Sequence, residues 1–93
     1  MQANQNTFIT ERLPLAIFLH ASQVLRFSHC EEAEQGKVKF VFDDTGNRGD
    51  QLELEFESGA VVAANSLLAS QKYLRRKMTE TLNNRNNENA NRY

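Results

Sequence analysis

The sequence predicts a small α+β domain: an antiparallel sheet of two or three strands packed against two helices, in the order strand, helix, strands, helix. Three observations predict this class. Residues 15–19 are continuously apolar, residues 37–42 alternate as a strand does, and residues 67–82 repeat apolar side chains at helical spacing. The 93 residues suffice for one domain, and 40% hydrophobic with 25% charged side chains is an ordinary globular composition.

The N-terminal part is predicted to hold a flexible segment, a short strand and a buried helix. Residues 1–6 are polar, and residues 7–10 read as a short extended entry. Thr10 is a candidate N-cap, although a start near Leu13 would place Pro14 within the first turn, where proline is tolerated. Because residues 15–19 are apolar all round, this helix is expected to be covered on more than one side and to centre the core.

Two β-prone runs, residues 24–30 and 37–42, predict an antiparallel hairpin joined by a polar loop that ends at Gly36. In the second run, Val38, Phe40 and Phe42 would share one face. In the first run, strict alternation would place Leu25, Phe27 and His29 on one face and Arg26, Ser28 and Cys30 on the other.

In the segment 51–57, leucine or phenylalanine alternates with glutamate from residue 52 onward. The segment follows a turn at residues 43–50 that contains Gly46, Asn47 and Gly49. The alternation favours a strand with Leu54 and Phe56 facing inward. A short helix is the alternative, because leucine and glutamate are both good helix formers.

The last helix is predicted to follow a cap at Asn65 or Ser66, and its apolar stripe ends at Leu82. Six of the nine residues from 83 to 91 are asparagine, a composition with little apolar surface to bury. We therefore divide the chain into a flexible N-terminus (1–6), one α+β domain (7–82) and a disordered asparagine-rich tail (83–93).

The predicted core is small for a self-sufficient domain, since a chain of this size buries only about 60–65% of its unfolded surface. An oligomer that covers an apolar strip would help, so we expect a homodimer. The core is expected to consist of Leu15, Ile17, Phe18, Leu19, Leu25, Phe27, Val38, Phe40, Phe42, Leu54, Phe56, Leu67, Leu74 and Met78.

Charge is distributed unevenly, although the net charge is only −1. Residues 1–59 hold ten acidic and five basic side chains, whereas residues 60–93 hold two acidic and six basic ones, which gives −5 and +4. The candidate binding residues for nucleic acid or another anionic partner lie in the basic half: Lys72, Tyr73, Arg75, Arg76 and Lys77. The alternative is a solvated helix face whose cations complement the helix dipole.

The acidic side chains Glu53, Glu55 and Glu57 would line one face of a strand. A solvated face that protects a sheet edge is the simplest interpretation. The alternative is a docking face for a basic helix, either residues 72–77 of the same chain or those of a second copy.

Catalytic and metal-binding patterns are not found in the sequence. His20, His29 and Cys30 lack the spacing of metal ligands, and Cys30 lacks a recognisable orienting group and oxyanion hole for nucleophilic catalysis. No phosphate-binding glycine loop occurs, so we predict no cofactor and no small-molecule ligand. One cysteine, no apolar run of spanning length and no signal sequence predict a cytoplasmic protein without membrane association.

Four motifs between residues 7 and 82 carry a resemblance. They are Thr-x-x-x-x-Leu-Ala-x-x-Leu from Thr10, Gly-Lys-Val-Lys-Phe-Val-Phe-Asp-Asp from Gly36, Phe-x-x-Gly from Phe56 and Leu-Arg-Arg-Lys-Met from Leu74. Together they resemble a short bacterial family of unknown function. The resemblance implies the strand, helix, strands, helix order and a helix at residues 51–57, and the family brings no assigned activity and no catalytic residue.

Three functions stay open on the sequence. The first is a non-enzymatic interaction or regulatory module that binds a protein partner or itself. The second is a nucleic-acid-binding protein that uses the basic last helix. The third is a small enzyme with a cryptic site, which no motif supports.

Overall fold

The computed structural model of the chain describes the backbone of residues 7–90 and the side chains of residues 7–83. Three strands form one open antiparallel sheet, with β3 between β1 and β2, so the predicted α+β class is confirmed. In chain order the elements are β1 (Thr7–Thr10), α1 (Leu13–Ser22), β2 (Arg26–Glu32), a 3-10 turn (Glu34–Gly36), β3 (Val38–Asp43), α2 (Gly49–Glu57) and α3 (Ala64–Ala90).

The core lies between one face of the sheet and the helices α1 and α3, which pack against each other. The central strand β3 buries Val38, Phe40 and Phe42 in this core, as the alternation predicts. From α1 and α3 the largest fully buried side chains are Leu15, Leu19 and Leu74. One face of β3 therefore supplies the platform on which both helices rest.

Helix α1 begins at Leu13 with Pro14 in its first turn, the later of the two predicted starts. Thr10 is not its N-cap. Instead, the Thr10 hydroxyl accepts a hydrogen bond of 3.0 Å from the Arg12 backbone N–H, immediately before the helix. Thr10 therefore orders the entry to α1 from the end of β1.

Strand β2 contains a bulge at Ser28, which changes the predicted facing of its side chains. Phe27 pairs with Phe42 and Cys30 pairs with Phe40, whereas His29 pairs with Val41. Directly paired residues lie on the same face, so Phe27 and Cys30 both face the core and His29 faces away. The prediction that Phe27 and His29 share a face is wrong, because the extra residue shifts the alternation by one.

Residues 51–57 belong to helix α2, so the predicted strand is wrong and the helical alternative is confirmed. Helical spacing buries Leu52 and half-buries Phe56, four residues later, and leaves Leu54 62% exposed. Leu54 is therefore not a core residue. The strand pattern failed because alternating leucine and glutamate fits either structure, and tertiary contacts chose the helix.

Two contacts secure the start of α2. The buried carboxylate of Asp44 accepts hydrogen bonds from the backbone N–H groups of Arg48, at 2.6 Å, and Gly49, at 2.7 Å. Gly49 lies against the Phe8 ring so closely that a Cβ at this position would collide with it. The turn after β3 is thus fixed both to β1 and to the first turn of α2.

Helix α3 begins at Ala64, slightly before the predicted cap at Asn65 or Ser66, and continues to Ala90. The helix thus runs past residue 83, where the asparagine-rich composition predicts loss of order. Because these residues extend an existing helix, they do not bear the cost of nucleating one. The flexibility predicted for residues 1–6 and for the end of the tail, 91–93, lies outside the described residues.

Candidate functional site

An apolar groove of about 300 Å³ crosses the outer side of α1, between α2 and the first turns of α3. Helix α1 turns Leu15, Ala16 and Leu19 toward the core, so Pro14 and Ile17 on its opposite side form the floor of the groove. The groove is lined by Pro14, Ile17, Phe18, Phe56, Ala60, Val62, Leu67, Leu68 and Gln71. We call this feature the helical groove.

Large apolar side chains are exposed around the helical groove. Leu68 on α3 is 66% exposed, and Val61 in the segment between α2 and α3 is 94% exposed. Leu54 is also largely exposed, but two residues from Phe56 it lies on the opposite side of α2 and does not line the groove. Single exposed apolar residues are common, but a cluster around an apolar depression is typical of a surface that binds another molecule.

One wall of the helical groove, helix α2, is acidic. Glu57 and Glu53 accept ion pairs from the Arg12 guanidinium at 2.7 and 3.3 Å, which joins α2 to the entry of α1. Glu55 is exposed and accepts a hydrogen bond only from Gln51 among the described contacts. The acidic side chains therefore do not meet residues 72–77 of the same chain in any ion pair of the described residues.

The other wall, α3, is basic on its outer side. Lys72, Arg75 and Arg76 are exposed, and no ion pair within residues 7–83 engages them. Lys77 differs, because its ammonium lies 3.5 Å from Glu80 and 5.5 Å from the centre of the Tyr73 ring. The five candidate binding residues are thus divided between three exposed cations and an inner pair.

Tyr73 packs inward, where it joins a small cluster between α1, β2 and α3. Its ring stacks on His20 with centroids 4.9 Å apart and meets Phe27 edge to face at 5.8 Å. His20 Nδ1 shares a hydrogen bond of 2.7 Å with the hydroxyl of the buried Ser70. In this position Tyr73 is engaged with its own chain and cannot stack on a nucleic-acid base without leaving the cluster.

The cluster has the residue types of a serine–histidine pair, but its burial argues for a packing role. Burial lowers the pKa of His20, so the ring resists protonation. Ser70 is only 4% exposed, which leaves no approach for a substrate to its hydroxyl. A shallow cavity beside His20, of about 310 Å³, is lined by Gln23, Val24, Leu25, Arg26 and Phe27 and reaches neither His29 nor Cys30.

The remaining metal and nucleophile candidates lie apart. His29 faces away from the core, where its Nε2 donates to the Glu31 carboxylate at 2.9 Å. Cys30 faces α3, and burial raises the pKa of its thiol despite the neighbouring Thr81 hydroxyl and Lys77 charge, which lower it. Within the side chains that the structure describes, no three histidine, cysteine or acidic residues gather as metal ligands would.

No family model matches the chain, and neither curated proteins nor solved structures give a significant match. The resemblance to a short bacterial family therefore stays a prediction. Among the described helices, none combines the length and apolar character that crossing a bilayer requires.

Sequence reasoning found the two charged walls and missed the helical groove between them. The groove combines residues from α1, α2, α3 and the segment before α3, which periodicity within one element cannot bring together. One signal was present: α1 is apolar on every side, but a single sheet and one neighbouring helix can cover only part of it.

Proposed function

We propose that this chain is a non-enzymatic interaction module that binds a protein segment in the helical groove. The observation that carries the proposal is the apolar lining of the groove with Leu68 and Val61 exposed beside it. Apolar grooves between helices hold amphipathic segments through a few inserted side chains. The charged walls would select a partner by the pattern of its own charges.

A site-specific photo-crosslinker tests this proposal in living cells. When it replaces Leu68, we expect covalent protein adducts, and Leu68 is exposed enough to be replaced without loss of folding. Glu34 in the 3-10 turn is the control position, because it is exposed and lies on a different element from the groove. The proposal fails if position 68 yields no adduct, or only adducts that position 34 also yields.

A second candidate function is nucleic-acid binding by the outer face of α3, which three exposed cations favour: Lys72, Arg75 and Arg76. Such binding would weaken steeply with salt, because each neutralised phosphate releases a counterion. Reversal of Arg76 to glutamate would weaken it further. Unchanged mobility of DNA and RNA fragments at low salt would exclude this function.

The cellular compartment belongs to the same proposal. A single half-buried cysteine is compatible with a reducing cytoplasm, where structural disulfides are rare. We propose that the chain works there.

A further inference from the structure

The floor of the helical groove lacks a cover. Helix α1 carries no acidic or lysine or arginine side chain between Leu13 and Ser22, and such a helix is typical of a position enclosed on all sides. Its inner side faces the sheet, whereas Pro14 is exposed and Ile17 is only half-buried on the outer side. The groove therefore calls for an occupant with apolar side chains.

The two walls present complementary surfaces. On α2, the exposed carboxylate of Glu55 directly precedes Phe56, the residue of this helix that lines the groove. On α3, the exposed Leu68 lies one and two helical turns before Lys72 and Arg75 on the same side of the helix. Each wall thus places an apolar lining residue, Phe56 or Leu68, near an exposed charge, and the charges of the two walls are opposite.

We infer that the occupant of the helical groove is a second copy of this chain, an inference that rests on the proposed interaction function. A two-fold axis along the groove, in the plane of contact, would place α2 of each copy over α3 of the other. Glu55 would then face the cations Lys72 and Arg75 of the opposite copy, while Leu68 helps to cover the apolar floor. Two-fold contacts require such a self-complementary surface.

In this dimer, Glu55 of each copy faces the cations of the other copy. Charge reversal on either wall therefore tests the contact. Glu55→Lys alone would place a cation on α2 opposite the cations of α3 at both ends of the contact. Lys72→Glu alone would place a carboxylate on α3 opposite Glu55 at both ends. Mixed in equal amounts, the two variant chains can form a heterodimer in which each substituted wall meets a substituted wall of opposite charge.

The experiment is sedimentation equilibrium of the purified chain from micromolar to millimolar concentration. We expect wild type to approach twice the 10.6 kDa of one chain. Each charge variant should dimerise about tenfold or more weakly, since like charges facing each other oppose association. The mixture should regain dimer mass, while Glu34→Lys, which makes the same charge change in the 3-10 turn, should match wild type.

Each result decides the inference. Circular dichroism establishes that the variants are folded, and Leu68→Asp provides an independent variant that should also abolish the dimer. A wild-type mass that stays at one chain throughout overturns the inference, as does a dimer that both charge variants leave intact or that the mixture fails to restore.

The proposed function survives or fails separately. If position 68 crosslinks to another protein while the purified chain stays monomeric, the groove binds a different partner and only the second copy is rejected. If neither adduct nor dimer forms, both proposals fail.

Discussion

At the turn between β3 and α2, one carboxylate receives two backbone N–H groups. Asp44 is buried, and its two oxygens accept hydrogen bonds from Arg48 and Gly49, which otherwise lack partners at the start of α2. A buried acceptor of this kind determines where a helix begins more firmly than the helical propensity of the residues that follow.

Replacement of Asp44 by alanine should therefore destabilise the domain by about 1–3 kcal/mol, because two buried N–H groups lose their acceptor. Urea unfolding followed by circular dichroism gives the free energy of unfolding. Asp43→Ala is the matched control, since Asp43 is the adjacent but exposed aspartate and should cost less than about 0.5 kcal/mol. Equal losses from both substitutions would contradict the capping role.

A second residue links stability to pH. Burial lowers the pKa of His20 below its ordinary value of 6.5, so the unfolded chain binds a proton at a higher pH than the folded chain does. The stability that His20 contributes is therefore present above about pH 7 and is lost as the pH falls through its unfolded pKa toward the lower folded one.

We expect His20→Asn to flatten the fall of the urea midpoint between about pH 7 and pH 5, because asparagine can still bond Ser70 but does not titrate. The exposed His29 serves as control through His29→Gln, which should follow wild type more closely. A His20→Asn profile parallel to wild type would show that His20 is not responsible for the slope.

The sequence pattern of α2 fits both a strand and a helix. A strand would turn Leu52, Leu54 and Phe56 to one side, whereas the helix buries Leu52 and exposes Leu54. A strand therefore predicts that Leu52 and Leu54 are buried together, whereas the helix predicts that only Leu52 is buried.

Replacing each of the two leucines with alanine distinguishes the helix from the strand. Leu52→Ala should cost about 2–4 kcal/mol of unfolding free energy, in the range for a buried leucine, and Leu54→Ala less than about 0.5 kcal/mol. Both variants are measured by urea unfolding at low micromolar concentration, where any association is minimal. Similar costs at the two positions would reject the helix.

Elements with a single consistent pattern could be predicted, as β3 was, because Val38, Phe40 and Phe42 alternate without interruption. The bulge in β2 could not be predicted, because nothing in the sequence around Ser28 signals an extra residue. Only the pairing of β2 with β3 reveals it. For α2, the contacts that fix its start are the Asp44 carboxylate and the Phe8 ring, and Phe8 is distant in sequence from the helix. The groove escaped prediction for the same reason.

On the scale of the whole molecule, charge and apolar surface are arranged together. The acidic first part of the chain supplies α2, and the basic last part supplies the outer side of α3. In the described contacts the two surfaces do not neutralise each other within one chain, which is the arrangement expected when they meet between chains.

The proposed association through these surfaces should make thermal stability depend on concentration, because mass action favours a folded dimer over unfolded single chains as concentration rises. We expect the melting temperature of wild type to rise across a hundredfold concentration series, recorded by circular dichroism, and that of Lys72→Glu to stay nearly constant. The exposed Glu34→Lys is again the control. A wild-type melting temperature independent of concentration would argue against the dimer.

The bulge at Ser28 also determines how readily Cys30 reacts with thiol reagents. By turning Cys30 toward α3, it places the chain's one thiol in the seam between the sheet and the second half of that helix. Reagents that modify thiolates should react with it slowly, because the thiol is half-buried and its pKa is raised. The rate of labelling at Cys30 should therefore rise when α3 detaches from the sheet, which makes this cysteine a natural reporter of that motion.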